Sequence, residues 1–202
     1  MSTKQSVTQP FTSPSQGFSL IELMVTVTII TLITALVMVK YSSFDSSILL
    51  NNQAFELALD IRETQVRSIS VQAGTGGSDV FSSNYGLYFD KGNTDEYILF
   101  QDLTEQALLV DGRFDEGAEE IGAPFTFDPR FVLNDIYVNN NPSITVNNAS
   151  IIFQRPNFDA RFGFSAPPGG SVSSVHIVIA SVRDPSSKKT VSVYNSGLIT
   201  VE

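Results

Sequence analysis

The chain contains no cysteine and only one histidine among its 202 residues. The missing thiols exclude disulfides, thiolate catalysis and cysteine-ligated metal sites. Lysine and arginine number 12 against 21 acidic residues, and the net charge of −9 disfavours a surface that binds nucleic-acid phosphates. No P-loop, G-x-S-x-G, H-E-x-x-H or dinucleotide-binding motif is present. The composition therefore gives no reason to expect an enzyme or a bound cofactor.

Glycine and proline are missing from residues 18–73, so no helix breaker interrupts this stretch. Its first part, residues 18–39, is apolar and carries a single charge. As a helix it would be about 33 Å long, close to the hydrocarbon thickness of a bilayer. β-Branched residues dominate positions 25–34 and would favour a strand in water, but a single segment in lipid must satisfy its own backbone hydrogen bonds. We therefore predict a transmembrane helix over residues 18–39, with threonine hydroxyls bonded to carbonyls one turn back.

Residues 17–22 read GFSLIE, which is a small residue, an aromatic residue and then apolar residues with one glutamate. This pattern resembles the processing site of type IV prepilins and type II secretion pseudopilins. The resemblance implies that a prepilin peptidase and N-methyltransferase cuts after Gly17 and methylates the new amine on Phe18. Residues 1–17 would then be a leader peptide. A secretory signal peptide and a plain single-pass anchor are the alternatives. The signal peptide is disfavoured because this chain has neither the basic start nor the A-x-A site that signal peptides carry.

Glu22 is the single charge of the apolar segment. An acidic or basic residue at mid-helix costs about 2.5–3.5 kcal/mol in a membrane, and less near a helix end. The resemblance implies that Glu22 acts in assembly, by neutralising the terminal amine of a neighbouring subunit and so setting the register between helices. Thr31 and Val39 stand where the family often has glycine and proline, which makes a break in the helix less expected here.

The family also implies where the protein resides and what it contacts. Before assembly it would be a single-pass protein of the bacterial inner membrane with its head outside the cytoplasm. It would then join other pilin or pseudopilin subunits in a cell-surface or periplasmic filament.

An amphipathic helix is predicted to continue over residues 40–73 into the head, with a possible bend at 42–47. Its apolar residues recur at helical spacing, and we expect them on the buried face: Phe55, Leu59, Val66 and Ile69, widened by Ala54, Leu57, Ala58 and Ile61. The charged residues are expected to face outward: Arg62, Glu63 and Arg67. The glycine-rich residues 74–78 predict the end of the helix.

Residues 74–202 form a β-rich globular head in this interpretation. Short apolar runs separated by Gly, Pro, Asn and Asp predict strands at 85–90, 97–101, 108–110, 131–138, 150–153, 175–182, 191–194 and 198–201. The first two read as a hairpin and the last three as a meander. The predicted fold class is α+β, with a long N-terminal helix packed on an antiparallel, largely all-β head. This arrangement is similar to that of GspH/FimT-type minor pseudopilins.

Four features of the head bear on possible chemistry. Residues 90–96 carry oxygens suited to calcium, but a capped hairpin turn is the simpler interpretation. Residues 115–120 are an acidic run expected in a solvated loop. His176 lies in a predicted strand and is expected to be half-exposed, without a catalytic partner. The F-D-x-R segments at 127–130 and 158–161 are expected to be turns with local Asp–Arg pairs.

These observations favour a structural pilin-like subunit, of the minor type, in a type IV pilus or a type II secretion pseudopilus. The alternative is a filament-borne binding module whose head recognises DNA, a surface or a secreted substrate. DNA binding would require a basic patch, and the only local basic cluster is Arg183 with Lys188 and Lys189. A membrane-tethered enzyme would require an acid–base pair in a cleft, which no motif suggests.

Overall fold

The computed structural model describes residues 17–70, 84–102, 114, 120–153 and 158–202, and for residues 39–45 the backbone alone. The chain divides into two compact units, Met1–Phe44 and Asp45–Glu202. The described residues form one helix and ten strands: α1 (Leu20–Ile69), β1 (Asn84–Asp90), β2 (Asn93–Asp102), β3 (Phe125–Thr126), β4 (Phe131–Val138), β5 (Asn141–Thr145), β6 (Asn148–Phe153), β7 (Ala160–Gly163), β8 (Ser174–Ser181), β9 (Lys188–Tyr194) and β10 (Ile199–Val201).

The strands make two five-stranded antiparallel sheets. The first has the order β3-β2-β1-β6-β7 and the second the order β10-β9-β8-β4-β5. Several consecutive strands pair directly, for example β1 with β2 through Leu87 and Leu99, and β8 with β9 through Val175 and Val193. The α+β class with a largely all-β antiparallel head is therefore confirmed.

A single apolar core in the second unit joins both sheets to α1. From the helix it takes Leu50, Ala54, Leu57 and Ile61, which recur every three to four residues and are buried. Both sheets contribute aromatic and branched side chains, among them Phe89, Phe131 and Ile177. Full burial of one such side chain contributes about 1.5–3 kcal/mol, so this face supplies most of the force that holds the helix to the sheets.

The predicted buried face of α1 is wrong in its main residues. Phe55, Leu59 and Val66 are 51%, 67% and 53% exposed, although the pattern placed them in the core. Instead, the buried residues are Ala54, Leu57 and Ile61, which were expected only at the margin of the buried face. Both faces of this helix carry apolar residues, so the apolar spacing alone does not decide which one turns inward.

Polar side chains explain why the face with Leu57 and Ile61 is buried instead of the face with Phe55 and Leu59. The Gln65 Nε2 atom donates to the carbonyl oxygens of Phe158, at 2.9 Å, and Gly197, at 3.1 Å. The Ser68 hydroxyl accepts from the Tyr85 backbone N–H at 3.0 Å and donates to the Tyr85 carbonyl at 3.1 Å. Buried backbone groups at strand ends require partners, and these side chains can supply them only when this face points inward.

Tyr97 makes a further tie between α1 and the first sheet. Its hydroxyl donates to the carboxylate of Asp60, and its ring stacks on Phe89 and Phe125 at centroid distances of 5.4 and 5.3 Å. Burial raises the pKa of the Tyr97 phenol, and the neighbouring Asp60 carboxylate raises it further. Burial also raises the pKa of Asp60, partly offset by this hydrogen bond. The pair is explained by helix–sheet contact and needs no catalytic role.

The strands predicted from apolar alternation are found, with small shifts at their ends. The span 131–138 matches β4 residue for residue, and the C-terminal meander is β8-β9-β10. Three short strands were missed, β3, β5 and β7, and each lies at or next to a sheet edge. The helix ends at Ile69, earlier than the predicted residue 73. The predicted strand at 108–110 and the glycine-rich helix stop at 74–78 lie outside the described residues. Residues 42–47 are helical, and the bend expected there stays a prediction.

Gly197 allows the close contact between this meander and α1. Its φ is +78°, and a Cβ atom here would lie 1.9 Å from the Phe158 carbonyl oxygen and 2.6 Å from Gln65 Nε2. We expect Gly197→Ala to lower the free energy of unfolding by about 2–5 kcal/mol, through left-handed strain and overpacking. Urea unfolding of the full chain in detergent micelles, followed by near-ultraviolet circular dichroism, measures this change.

Gly122 provides the matched control for this substitution. Its φ is +77°, but none of the described residues beyond its chain neighbours lies within 4 Å of the position that a Cβ atom would take, so Gly122→Ala should cost only the strain, about 1–2 kcal/mol. Equal losses for the two variants would show that the contact at Gly197 contributes nothing.

Candidate processing and assembly site

The residues predicted at the processing site lie together at the start of α1. Gly17, Phe18 and Ser19 precede the helix and are exposed, and within the described residues no atom beyond its chain neighbours lies within 4 Å of a Cβ position on Gly17. An accessible backbone is what a peptidase needs in order to reach a peptide bond. The Gly17–Phe18 bond therefore sits in a segment that an enzyme can approach.

Ser19 occupies the N-cap of α1, a role that the sequence analysis missed. Its carbonyl oxygen accepts the first intrahelical bond, from the Leu23 backbone N–H at 3.1 Å. Ser19 and Glu22 have the S-x-x-E spacing of a capping box, and this spacing was the signal that could have revealed the cap. Glu22 lies in the first turn, where a carboxylate stabilises the helix dipole by about 0.3–1 kcal/mol at exposed sites.

The segment that follows is apolar and exposed along its whole length. Leu20–Met38 is long and apolar enough to cross a membrane, and none of it is buried. Its length of about 28 Å as a helix is close to the hydrocarbon thickness of a bilayer. The predicted threonine bonds are present, as in Thr28 to the Met24 carbonyl at 2.7 Å and Thr31 to the Val27 carbonyl at 2.8 Å. These bonds hide the hydroxyls from an apolar environment.

A second apolar surface lies on the outward face of α1 in the second unit. We call it the outer stripe and define it as Ile48, Phe55, Leu59 and Val66, which are separated by seven, four and seven residues and are all exposed. Such spacing places all four on one side of a helix. Arg62 lies on the same side, with its guanidinium carbon 5.8 Å from the centre of the exposed Phe158 ring. The stripe is therefore a row of four exposed apolar side chains, with the exposed polar residues Asn52, Arg62 and Glu63 next to it on the helix.

Residues 90–96 form a hairpin turn, in agreement with the simpler of the two interpretations. The turn is Lys91–Gly92, and the Asp90 carboxylate caps it by accepting from the Gly92 N–H at 2.8 Å. The Lys91 ammonium pairs with Asp135 at 2.9 Å. Within the described residues no group of three His, Asp or Glu side chains is placed to hold a metal.

His176 is buried rather than half-exposed, which corrects the prediction. It is 2% exposed because Tyr137 stacks on its ring at 4.6 Å and serine hydroxyls contact both nitrogens. Asp128 and Arg130 form the predicted local pair, with the guanidinium donating to both carboxylate oxygens at 2.8 and 2.7 Å. This exposed pair lowers the pKa of Asp128 to about 2. The pair predicted at 158–161 stays a prediction.

A cavity of about 430 Å³ opens beside β7. It is lined by Phe162, Phe164, two prolines and one ionisable side chain, Arg161. A single arginine does not make an acid–base pair, and the cavity therefore suggests no reaction. Of the acidic run at 115–120 only Glu120 is among the described residues, and it is exposed.

Comparison with protein families agrees with the geometry of the N-terminal segment. Residues 12–38 match the family model described as the prokaryotic N-terminal methylation motif. No curated protein and no solved structure matches this chain. The chain thus carries a prepilin-type methylation motif that includes the apolar helix segment, and this motif supports a relation to type IV pilins and pseudopilins. A motif of this kind implies processing by prepilin peptidase and assembly with other pilin subunits.

Proposed function

We propose that this protein is a structural subunit, of the minor type, in a type IV pilus or a type II secretion pseudopilus. The observation that carries the proposal is the match to the methylation motif at residues 12–38, which includes the exposed apolar helix segment Leu20–Met38. The motif family points to a structural subunit rather than an enzyme. An apolar helix of this size is stable only in lipid or against other apolar helices, which are the two environments of a pilin before and after assembly.

Processing is proposed to occur at the Gly17–Phe18 bond. Residues 1–17 are removed as a leader, the new amine on Phe18 is methylated, and residues 18–39 remain as the anchor in the bacterial inner membrane. Residues 40–73 lead into the head, residues 74–202, which lies outside the cytoplasm. The exposed position of Gly17 and Phe18 before the helix supports this step.

Glu22 is proposed to pair with the terminal amine of a neighbouring subunit. Two unit charges about 4 Å apart attract by about 1 kcal/mol in water and about 4 kcal/mol at an effective dielectric constant of 20. Burial among apolar helices therefore strengthens the pair. Because Glu22 is the only charge in the anchor, only one register between two helices can satisfy it.

The outer stripe is proposed to contact the apolar helix of another copy or of a related subunit. Phe55, Leu59 and Val66 have no covering element within the described part of the chain. Single exposed apolar side chains are common on protein surfaces, but several large ones in one row are typical of an interaction surface. Helix-on-helix packing would remove this surface from water and leave the two-sheet head on the outside of the filament.

The minor type is proposed from the head. It has two antiparallel sheets, ends in a three-stranded meander and contains no cysteine, so it cannot close the C-terminal disulfide loop common in major pilins. These features are similar to those of GspH/FimT-type subunits. The alternative of a head that binds DNA gains no support, since Arg183, Lys188 and Lys189 form the only local basic cluster in the sequence and the chain is acidic.

The first test is the mass of the mature N-terminus. Protein purified from membranes of cells that contain a prepilin peptidase should begin at Phe18 and carry one added methyl group. Gly17→Val should leave the leader attached, because a branched side chain replaces the small residue beside the cut bond. A wild-type chain that retains Met1, or that is cut near residue 40, would rule out prepilin processing.

The second test concerns the charge of Glu22. Glu22→Gln keeps the size of the side chain and removes its charge, and we expect incorporation into sheared filaments to fall by about tenfold or more, the equivalent of at least about 1.4 kcal/mol. Glu120→Gln is the matched control, because Glu120 is an exposed glutamate of the head that lies outside α1 and outside the outer stripe. Normal incorporation of the Glu22 variant would refute the assembly role.

The third test concerns the outer stripe. Phe55→Ser with Leu59→Ser should reduce incorporation by about tenfold or more, since each buried apolar side chain contributes about 1.5–3 kcal/mol. The free energy of unfolding of the unassembled chain should change by no more than about 0.5 kcal/mol per surface substitution. Val182→Ser is the control, because Val182 is 54% exposed but lies outside the stripe. Equal incorporation of all three proteins would show that the stripe makes no contact.

A further inference from the structure

His176 is held in a fixed hydrogen-bonding state by its surroundings on β8. Its Nε2 atom accepts from the backbone N–H of Asn140 at 3.0 Å and lies 2.9 Å from the Ser174 hydroxyl. Its Nδ1 atom lies 2.7 Å from the Ser192 hydroxyl. Because Nε2 accepts, the ring proton is assigned to Nδ1, which donates to Ser192. The neutral ring is therefore the form that this site fits.

The donor to His176 belongs to a tight turn. Asn139 and Asn140 have φ values of 55° and 53° and connect β4 to β5, which is an edge strand of the second sheet. The Asn139 side chain extends the connection, since its Oδ1 atom accepts from the Ser173 N–H at 2.7 Å and its Nδ2 atom donates to the Ser171 carbonyl at 3.0 Å. The turn thus joins β5 and residues 171–173 to the histidine.

We propose that His176 is a proton-sensitive latch that holds the β4–β5 hairpin and residues 171–173 closed near neutral pH and releases them in acid. A protonated imidazole donates from both nitrogens, so Nε2 can no longer accept from Asn140. The Asn140 N–H then faces another N–H, that of the buried His176 ring. Opening of the turn relieves this repulsion and lets water solvate the charged ring.

The groups around the ring favour the neutral form while the latch is closed. In the described part of the chain the neighbouring ionisable groups are the phenols of Tyr137, stacked at 4.6 Å, and Tyr194, at 6.1 Å edge to face, together with the Glu202 carboxylate. Burial lowers the pKa of His176, and the negative charge of Glu202 opposes this in part. No carboxylate is hydrogen-bonded to the ring among the described contacts, so the imidazolium has no partner in the closed form.

The pH window follows from linkage. An open hairpin exposes His176 to water, where its pKa returns to about 6.5, whereas the closed form has the lower pKa. The open form therefore binds the proton more readily, and the closed form loses stability as the pH falls below about 6.5. The loss stops growing once the pH is below the pKa of the closed form. Opening would uncover the core residue Val146, which follows β5 and donates its N–H to the Ile136 carbonyl at 2.9 Å.

Hydrogen exchange of the full chain in detergent micelles tests the latch. After correction for intrinsic exchange rates, protection of peptides covering residues 139–146 should fall by about tenfold between pH 7 and pH 5. Protection of Leu87 and Ile151, at the centre of the other sheet, should not change. Unchanged protection at 139–146, or equal loss in both sheets, would overturn the proposal, because the second result describes global unfolding.

Two further measurements assign the effect to His176. His176→Gln offers an amide oxygen that accepts from Asn140 but does not titrate, so the pH dependence of exchange at 139–146 should vanish. Because the chain has one histidine, its imidazole resonance can be followed in the wild-type protein even when the variant does not fold. Its midpoint should coincide with that of the Asn140 amide shift. A persisting pH dependence in the variant, or two different midpoints, would refute the latch.

Discussion

The two hydrogen bonds from Gln65 decide which face of α1 is covered. They reach the carbonyls of Phe158 and Gly197, which lie on different connections of the head, so one side chain of the helix ties both of them. A buried amide group without partners would cost about 1–3 kcal/mol, comparable to the burial of a whole apolar side chain. Rotating the helix to bury Leu59 and Val66 instead would expose Leu57 and Ile61 and also leave these carbonyls unpaired.

The same constraint creates the surface proposed for assembly. Once Leu57, Ile61 and Gln65 point inward, the outer stripe is left in solvent because no other described element covers it. A monomer gains nothing from these exposed apolar residues, whereas a filament subunit does. The helix is thus apolar on two sides: one side packs in the core, and the other is the surface that we propose for assembly.

How far the sequence predicts the structure depends on how local each signal is. The proposed processing residues Gly17 and Phe18 and the proposed assembly residue Glu22 are read from six consecutive positions. Strand β4 and the β8–β10 meander are read from simple alternation between turns. Strands β3, β5 and β7 have two, five and four residues, and their pairing depends on partners elsewhere in the chain.

Side-chain environments were harder to predict than strands. His176 was placed in the correct strand but with the wrong exposure, because its neighbours Tyr137 and Ser192 come from adjacent strands whose register no local pattern shows. The buried face of α1 was predicted wrongly for a related reason. The contacts of Gln65 that decide it join residues distant in sequence, and Phe158 lies 93 positions away. In both cases the burial of the residues depends on a polar contact with a residue distant in sequence, whereas the prediction rested on the local apolar pattern alone.

Because the chain has no cysteine, polar contacts must hold the sheet edges in place without disulfides. A head without disulfides must close its sheet edges by hydrogen bonds, and the described structure does so with Asn139 at the β4–β5 turn and with Glu202 bonded to Thr190 through both backbone groups, at 2.9 and 3.0 Å. A covalent bridge would hold an edge at any pH. A hydrogen bond accepted by an imidazole holds it only while that ring is neutral, so the bond from the β4–β5 turn to His176 of β8 makes closure of the β5 edge conditional on the pH around the head.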